Sequence, residues 1–161
     1  MKKKLTKPLE FDDLLQEFHA KEHINEMKNY IQHGDTSTYQ HCVRVAYYSY
    51  CLAKHLPLHF DMISLVRGAM LHDFYLYDWH IPDQSHKLHG YIHPVFALSN
   101  ARRYFKLNQI EEDIISKHMW PLTLTKVPRY KESLLVCLID KFCSLTEIFY
   151  IPLYPRTQQR L

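Results

Sequence analysis

The stretch Gly68-Ala69-Met70-Leu71-His72-Asp73-Phe74 ends an apolar run on an adjacent imidazole and carboxylate. Polar side chains in such a place cost stability unless they are hydrogen-bonded, paired or bound to a metal. The same tension recurs at His41 within a helical pattern, at His93 before Pro94, at His118 after an Ile-Ile pair, and at Asp140 inside Leu138-Ile139-Asp140. Taken alone, a His-Asp pair at a helix end needs only ordinary hydrogen bonds. Taken together, these six residues form a ligand set. Imidazole and carboxylate without thiolate suit Mn, Fe, Co, Ni or Zn. No pair has the short spacing of a His-Glu-x-x-His metalloprotease, so the set has to be assembled from several helices, as bundle cores build metal sites.

The periodicity supplies those helices. Phe11, Leu14, Leu15 and Phe18 follow i, i+3, i+4, i+7 spacing, and Ile24, Met27 and Ile31 continue as a second short helix closed by Gly34-Asp35-Thr36. Asp35 or Thr36 then caps a helix in which His41, Val45, Tyr48 and Leu52 share a face as far as Leu56-Pro57. Arg44 lies close to that face, placed either for a phosphate at a pocket rim or for a surface ion pair. Asp61 starts the next helix, whose Leu65, Val66, Ala69 and Met70 bury it as it runs into the doublet. Gly68 costs that helix about 1 kcal/mol against Ala, which predicts a packing reason such as close approach of the His41 helix.

From Tyr75 to Tyr91 the pattern dissolves into a loop that leaves directly from the doublet and is read as the rim or lid of a site. Of its histidines, His80 and His86 are placed in solvent and His89 near a substrate. Pro94 suits a first helical turn with His93 at its entry, and Val95, Leu98, Ala101 and Phe105 make the buried stripe. Asn108 with Glu111 forms a capping-box start for a helix in which Ile110, Ile114 and His118 share a face. Met119-Trp120-Pro121-Leu122 and Val127-Pro128 form an extended connection whose Trp walls the pocket or fills core. The last helix, Lys131 to Tyr150, carries Leu135, Leu138, Phe142 and Leu145 on one side with Asp140 among them, and Pro152 and Pro155 stop it. Lys141 is a second candidate for binding phosphate.

The pattern predicts an all-α fold of about six to seven helices, with no internal repeat. At 161 residues and 47% hydrophobic content the chain suits one domain over 1–161, with a basic tail at 1–8 and a frayed C-terminal tail at 151–161. Its formal charge of +3 rests on that basic tail: without Lys2, Lys3, Lys4 and Lys7, 16 of the 20 basic residues face 17 acidic ones. No dedicated nucleic-acid surface is expected from such a body. Cys42, Cys51, Cys137 and Cys143 form no Cys-x-x-Cys and read as reduced core residues. No signal segment and no apolar run of about 18 residues is present, so a cytoplasmic protein without membrane contact is expected.

The order His41, His72-Asp73, His93, His118, Asp140 resembles the HD-domain superfamily of metal-dependent phosphohydrolases. In that superfamily the first His, the doublet and the last Asp hold one metal, and two additional histidines between doublet and last Asp hold a second. The chain has both, and His93-Pro94 is similar to the HD-GYP branch. It departs from that branch in lacking Gly-Lys after the doublet and the Gly-Tyr-Pro signature; Phe74, Tyr75 and Leu76 follow instead. Cyclic-dinucleotide specificity is therefore not implied.

The resemblance implies two divalent transition metal ions about 3.5–4 Å apart, Asp73 bridging them and positioning the nucleophilic water, and a small phosphomonoester or phosphodiester substrate such as a nucleotide. Arg44, Lys141 and His89 are the candidate substrate-binding residues. A di-iron HD-type oxygenase, separable by iron-dependent oxygen consumption, and a non-catalytic regulatory module stapled by metal are the alternatives. Oligomeric state is left open.

Overall fold

Four of the helix starts can be traced to a side chain that reaches back to the first turn. A computed structural model of the chain describes residues 10–84, 87–149 and 151. Helix α1 (Phe11–His19) opens on a capping box between Glu10 and Asp13, and α3 (Thr38–His55) on one between Ser37 and Gln40. Asp61 caps α4 (Met62–Leu71) by accepting from the Ser64 amide at 3.0 Å. Asn108 and Glu111 make the expected box at α6 (Gln109–Lys117). Each satisfies amides that a helix start leaves without an internal partner. The remaining helices are α2 (Glu22–Glu26), α5 (His89–Tyr104) and α7 (Lys131–Ile148).

Helix α4 is the central element. It packs against α3 on one side and α6 on another, while α7 closes against both α3 and α6, and α5 lies on α6. Leu65, Val66, Ala69, Met70 and Leu71 of α4 are buried, together with Val45 and Ala46 of α3 and Ile114 and Ile115 of α6. An apolar stripe at helical spacing on each helix accounts for this convergence. The all-α bundle is the architecture expected from the sequence.

Several local expectations are corrected. Ile31 does not continue a helix: a single 3-10 turn, Met27–Asn29, leads into a two-stranded antiparallel hairpin, β1 (Ile31–His33) and β2 (Thr36–Ser37). Gly34 turns it with φ of 53°, a conformation that costs glycine little. The cap of α3 is accordingly Ser37, not Asp35 or Thr36. Gly68 makes room for Ile114 of α6, not for α3: a Cβ there would stand 2.4 Å from Ile114 Cδ1.

Helix α5 starts at His89, so the loop is shorter than Tyr75–Tyr91 and Pro94 lies inside the helix. Of its expected stripe, Ala101 and Phe105 are buried and Leu98 packs partly on the core, joined by His93 and Ala97, while Val95 is exposed. On α7 Leu135 is buried as expected, with Val136, Cys137, Asp140, Cys143 and Glu147, but Leu138, Phe142 and Leu145 face outward. The reason on α7 is that Asp140 and Glu147 point inward and turn Leu138, Phe142 and Leu145 away from the core. Trp120 is half-buried in the turn after His118, where its carbonyl accepts the Cys137 thiol at 3.0 Å.

Cys42, Cys137 and Cys143 are buried free thiols, and Cys51 is a half-buried one. Lys2, Lys3, Lys4 and Lys7 of the basic tail, His86, and the helix end at Tyr150 with Pro152 and Pro155 lie outside the described residues. No helix among the described residues is long and apolar enough to cross a membrane.

Candidate metal centre

Five helices deliver the six residues to one place. His41 comes from the first turn of α3, His72 and Asp73 from the C-terminal end of α4, His93 from α5, His118 from the C-terminal end of α6 and Asp140 from the middle of α7. All six are buried. They fall into two groups, His41, His72 and Asp140, and Asp73, His93 and His118, with the ligating atoms of each group within 4.8 Å of one another.

Asp73 stands between the groups. Its Oδ2 lies 3.3 Å from His72 Nε2 and 3.7 Å from His41 Nε2, whereas Oδ1 lies 3.1 Å from His93 Nε2 and 3.4 Å from His118 Nε2. One carboxylate oxygen thus faces each group. His41 Nε2 is 3.0 Å from Asp140 Oδ1, and His72 Nε2 is 3.6 Å from the same oxygen.

The outer nitrogen of every ring is tied down. His72 Nδ1 meets the Ala69 carbonyl at 2.7 Å, His93 Nδ1 the His89 carbonyl at 2.8 Å and His118 Nδ1 the Ile115 carbonyl at 2.9 Å. A carbonyl only accepts, so each Nδ1 is the donor and each ring turns Nε2 inward. His41 is held likewise by a carboxylate: its Nδ1 donates to Glu147 Oε2 at 2.8 Å, and Arg44 pairs with the other oxygen of Glu147. Partners of this kind fix the tautomer and orientation of a metal-ligating histidine.

The electrostatics follow from the enclosure. Burial opposes the charge of Asp73, yet His72, His118 and His93 outweigh it and hold the carboxyl well below the usual carboxylate range. Burial likewise opposes Asp140, and His41 and His72 outweigh it in the same direction. Glu147 is lowered, with His41 and Arg44 overcoming its burial. The pKa of His41 rises to about 10, because Asp140 and Glu147 overcome the cost of burying its charge. His72 is raised against its burial by Asp73, whereas burial lowers His118. Three buried, ionised carboxylates therefore require compensating positive charge in the interior.

The residues fit divalent metal. Among the described residues, His72 Nε2 and Asp73 Oδ1 find no hydrogen-bond partner though buried, an arrangement that is costly unless something else satisfies them. His93 Nε2 and His118 Nε2 are 2.8 Å apart, and with both Nδ1 protons committed to carbonyls these are two lone pairs in need of a cation. The donor set is nitrogen and oxygen only, although the Cys42 thiol lies 3.8 Å from the outer nitrogen of His72.

The proposed substrate-binding residues are placed differently. Arg44 is committed to Glu147 beside His41. Lys141 directs its ammonium to the His118 carbonyl at 2.7 Å and to the Cys137 carbonyl and sulfur at 3.2 and 3.3 Å, so three contacts occupy its three donors. His89 adjoins the second group: its ring stacks on His93 at 4.6 Å and on Trp79 at 5.1 Å, and its Nδ1 is 2.8 Å from the Tyr77 hydroxyl. His80 is exposed and contacts Asp78, away from the six.

Two contributors were not anticipated. Glu147 follows Asp140 by seven residues, two turns along the same face of α7, and that spacing was the available signal. Gln32 had none, because it reaches the site through the hairpin. Its amide donates to Asp73 Oδ2 at 2.6 Å, and its carbonyl oxygen accepts from Tyr75 and, at 3.3 Å, from Thr38. Those hydroxyls fix which end of the Gln32 amide faces Asp73.

Comparison with curated proteins and with solved structures gave no significant match. The HD domain family model matches residues 38–145, and members of that family bind divalent metals and are mostly hydrolases. Since the matched span covers well over half the chain, runs from the helix of His41 to the helix of Asp140 and contains both groups of candidate ligands, the chain belongs to the HD domain family.

Proposed function

We propose that the protein is a metal-dependent phosphohydrolase acting on a small phosphomonoester or phosphodiester through two divalent ions. One position comprises His41, His72 and Asp140 with Asp73, and the other Asp73, His93 and His118. The observation that carries this reading is Asp73, whose two oxygens face the two groups separately. Ions bound there supply what the side chains lack, polarising phosphoryl oxygens and bringing the pKa of a bound water towards neutrality.

The chain's own residues hold and aim. Asp73 joins the two positions, and Gln32 steadies the oxygen on the His41 side. His72, His93 and His118 present Nε2 because their outer nitrogens are spent on backbone carbonyls. Glu147 does the same for His41 and is itself neutralised by Arg44. Arg44 acts in this reading through Glu147, and Lys141 anchors the His118 end of α6 to α7. His89, packed on His93 beside the loop, is the residue best placed to meet a substrate.

The experiment is metal analysis of the purified protein followed by a phosphate-ester panel with Mn, Co, Ni, Fe and Zn. Phosphate release that chelation abolishes and metal restores is expected, with Asp73→Ala inactive and His80→Ala close to wild type. Equal turnover in the two variants removes the role given to Asp73. Oxygen uptake by iron-loaded protein without phosphate release replaces this reading with an oxygenase.

A further inference from the structure

Helix α7 is amphipathic in reverse. Its polar residues Glu132, Ser133, Asp140, Thr146 and Glu147 are buried, and beyond Lys131 its exposed positions are all apolar. Leu134, Leu138, Phe142, Leu145 and Ile148 face out along the helix, with Phe149 at its cap, and the three in the middle are 55%, 47% and 55% exposed. The face widens on α3, where Tyr48 meets Phe142 edge-on at 6.2 Å and Leu52 is also exposed. The metal centre explains why α7 turns its acids inward. It does not explain six large apolar side chains left in water.

The spacing identifies what covers them. Leu138, Phe142, Leu145 and Phe149 are separated by four, three and four residues, the repeat by which one helix packs along another at a shallow angle. With about half of each side chain exposed, the stripe offers roughly 500–700 Å² of apolar surface, at or above the largest patch of an ordinary monomer. Tyr48 and Leu52 bring it towards the ~800 Å² that each partner gives to a standard interface. A seam of this repeat calls for a second helix with the same repeat, and a second copy of the chain brings one, with no charged residue at the exposed positions from Leu134 to Phe149 to oppose self-association.

We infer that the protein is a homodimer in which the outer face of α7 packs on the same face of its mate. The Asp140 side of each α7 then faces its own metal centre while the Phe142 side is buried between copies.

Sedimentation of the full, metal-loaded chain across a wide concentration range tests this. The wild type is expected at twice the 19.4 kDa of one chain. Phe142→Glu and Leu145→Glu, both on exposed positions, should raise the dissociation constant at least tenfold with helicity and metal content unchanged. Leu124→Glu, on an exposed residue of the 118–130 connection, should leave it unaltered. A wild type that stays monomeric at every concentration overturns the inference, whether residues 152–161 or a different protein covers the face. A dimer that both charge variants leave intact overturns it equally.

Discussion

Glu147 Oε2 lies 2.8 Å from His41 Nδ1, a bond between the first turn of α3 and the last turn of α7 that joins residues 106 positions apart. Outer partners of this type typically account for 10–100-fold in metal affinity. Glu147→Gln keeps the shape and loses the charge that makes His41 a strong ligand. Competition titration with a chromophoric chelator should show metal at the His41 position weakened by about that factor, with the His93 and His118 position less affected. Unchanged affinity at both would reduce Glu147 to a structural residue.

The two metal positions separate by mutation. His93→Ala and His118→Ala should each stay folded, retain about one ion and lose most turnover, because one ion alone does not clamp both the attacking and the leaving oxygen. His41→Ala should disturb both ions and cost about 3–5 kcal/mol, since it leaves Asp73, Asp140 and Glu147 buried with less positive charge. Metal counting beside thermal denaturation decides. Two ions and normal rates in His93→Ala and His118→Ala would mean a mononuclear site.

Gly68→Ala sets helix propensity against packing. The substitution gains about 1 kcal/mol inside an α-helix. The added methyl meets Ile114 Cδ1 at 2.4 Å and Ile114 Cβ at 3.0 Å in the centre of the core, and overpacking of that kind costs typically 1–3 kcal/mol. Net destabilisation is expected in a denaturant titration. The double variant Gly68→Ala with Ile114→Val should recover part of it by removing the nearest atom.

Asp113 gives the fold an acid-sensitive joint away from the metal residues. Its carboxylate accepts from the Arg129 amide at 2.8 Å and pairs with Lys117 at 2.5 Å, tying the end of the 118–130 connection to α6. Burial raises its pKa, but Lys117, the Arg129 amide and Ser133 outweigh this and bring it below the ordinary aspartate value. A depressed pKa means stability present at neutral pH and lost as pH falls from about 4 through the folded value. Asp113→Asn should lower the melting temperature at pH 7, and the gap to wild type should close in acid. A gap independent of pH would place the effect in packing.

How much the chain declares of itself depends on the range of the interaction. Asp61, Asn108 and Glu111 were legible because a cap is a contact over three residues. The clustering of the six candidate ligands was legible because each breaks an apolar pattern. Ile31 was misread because a period of three to four also fits a short strand entered from a 3-10 turn, and only Gly34 hinted at the hairpin. The face of α7 was misread for a more physical reason. Amphipathic reasoning sends apolar residues inward, but one buried Asp and one buried Glu at i and i+7 outweigh Leu138, Phe142 and Leu145 in deciding which side meets the core. Gln32 was beyond reach, since no local pattern ties a hairpin residue to a carboxylate 41 positions away.

The ring bonds of the four histidines also differ in when they can form. His72, His93 and His118 take their orientation from carbonyls three or four residues back in their own helices. A nascent turn of α4, α5 or α6 is therefore enough to aim its imidazole, at the low loop-closure cost of a local contact. His41 has no such shortcut, because its anchor on Glu147 waits until nearly the whole chain has been laid down and α3 has met α7. Three of the rings are set by their neighbourhoods, and the fourth reports that assembly is complete.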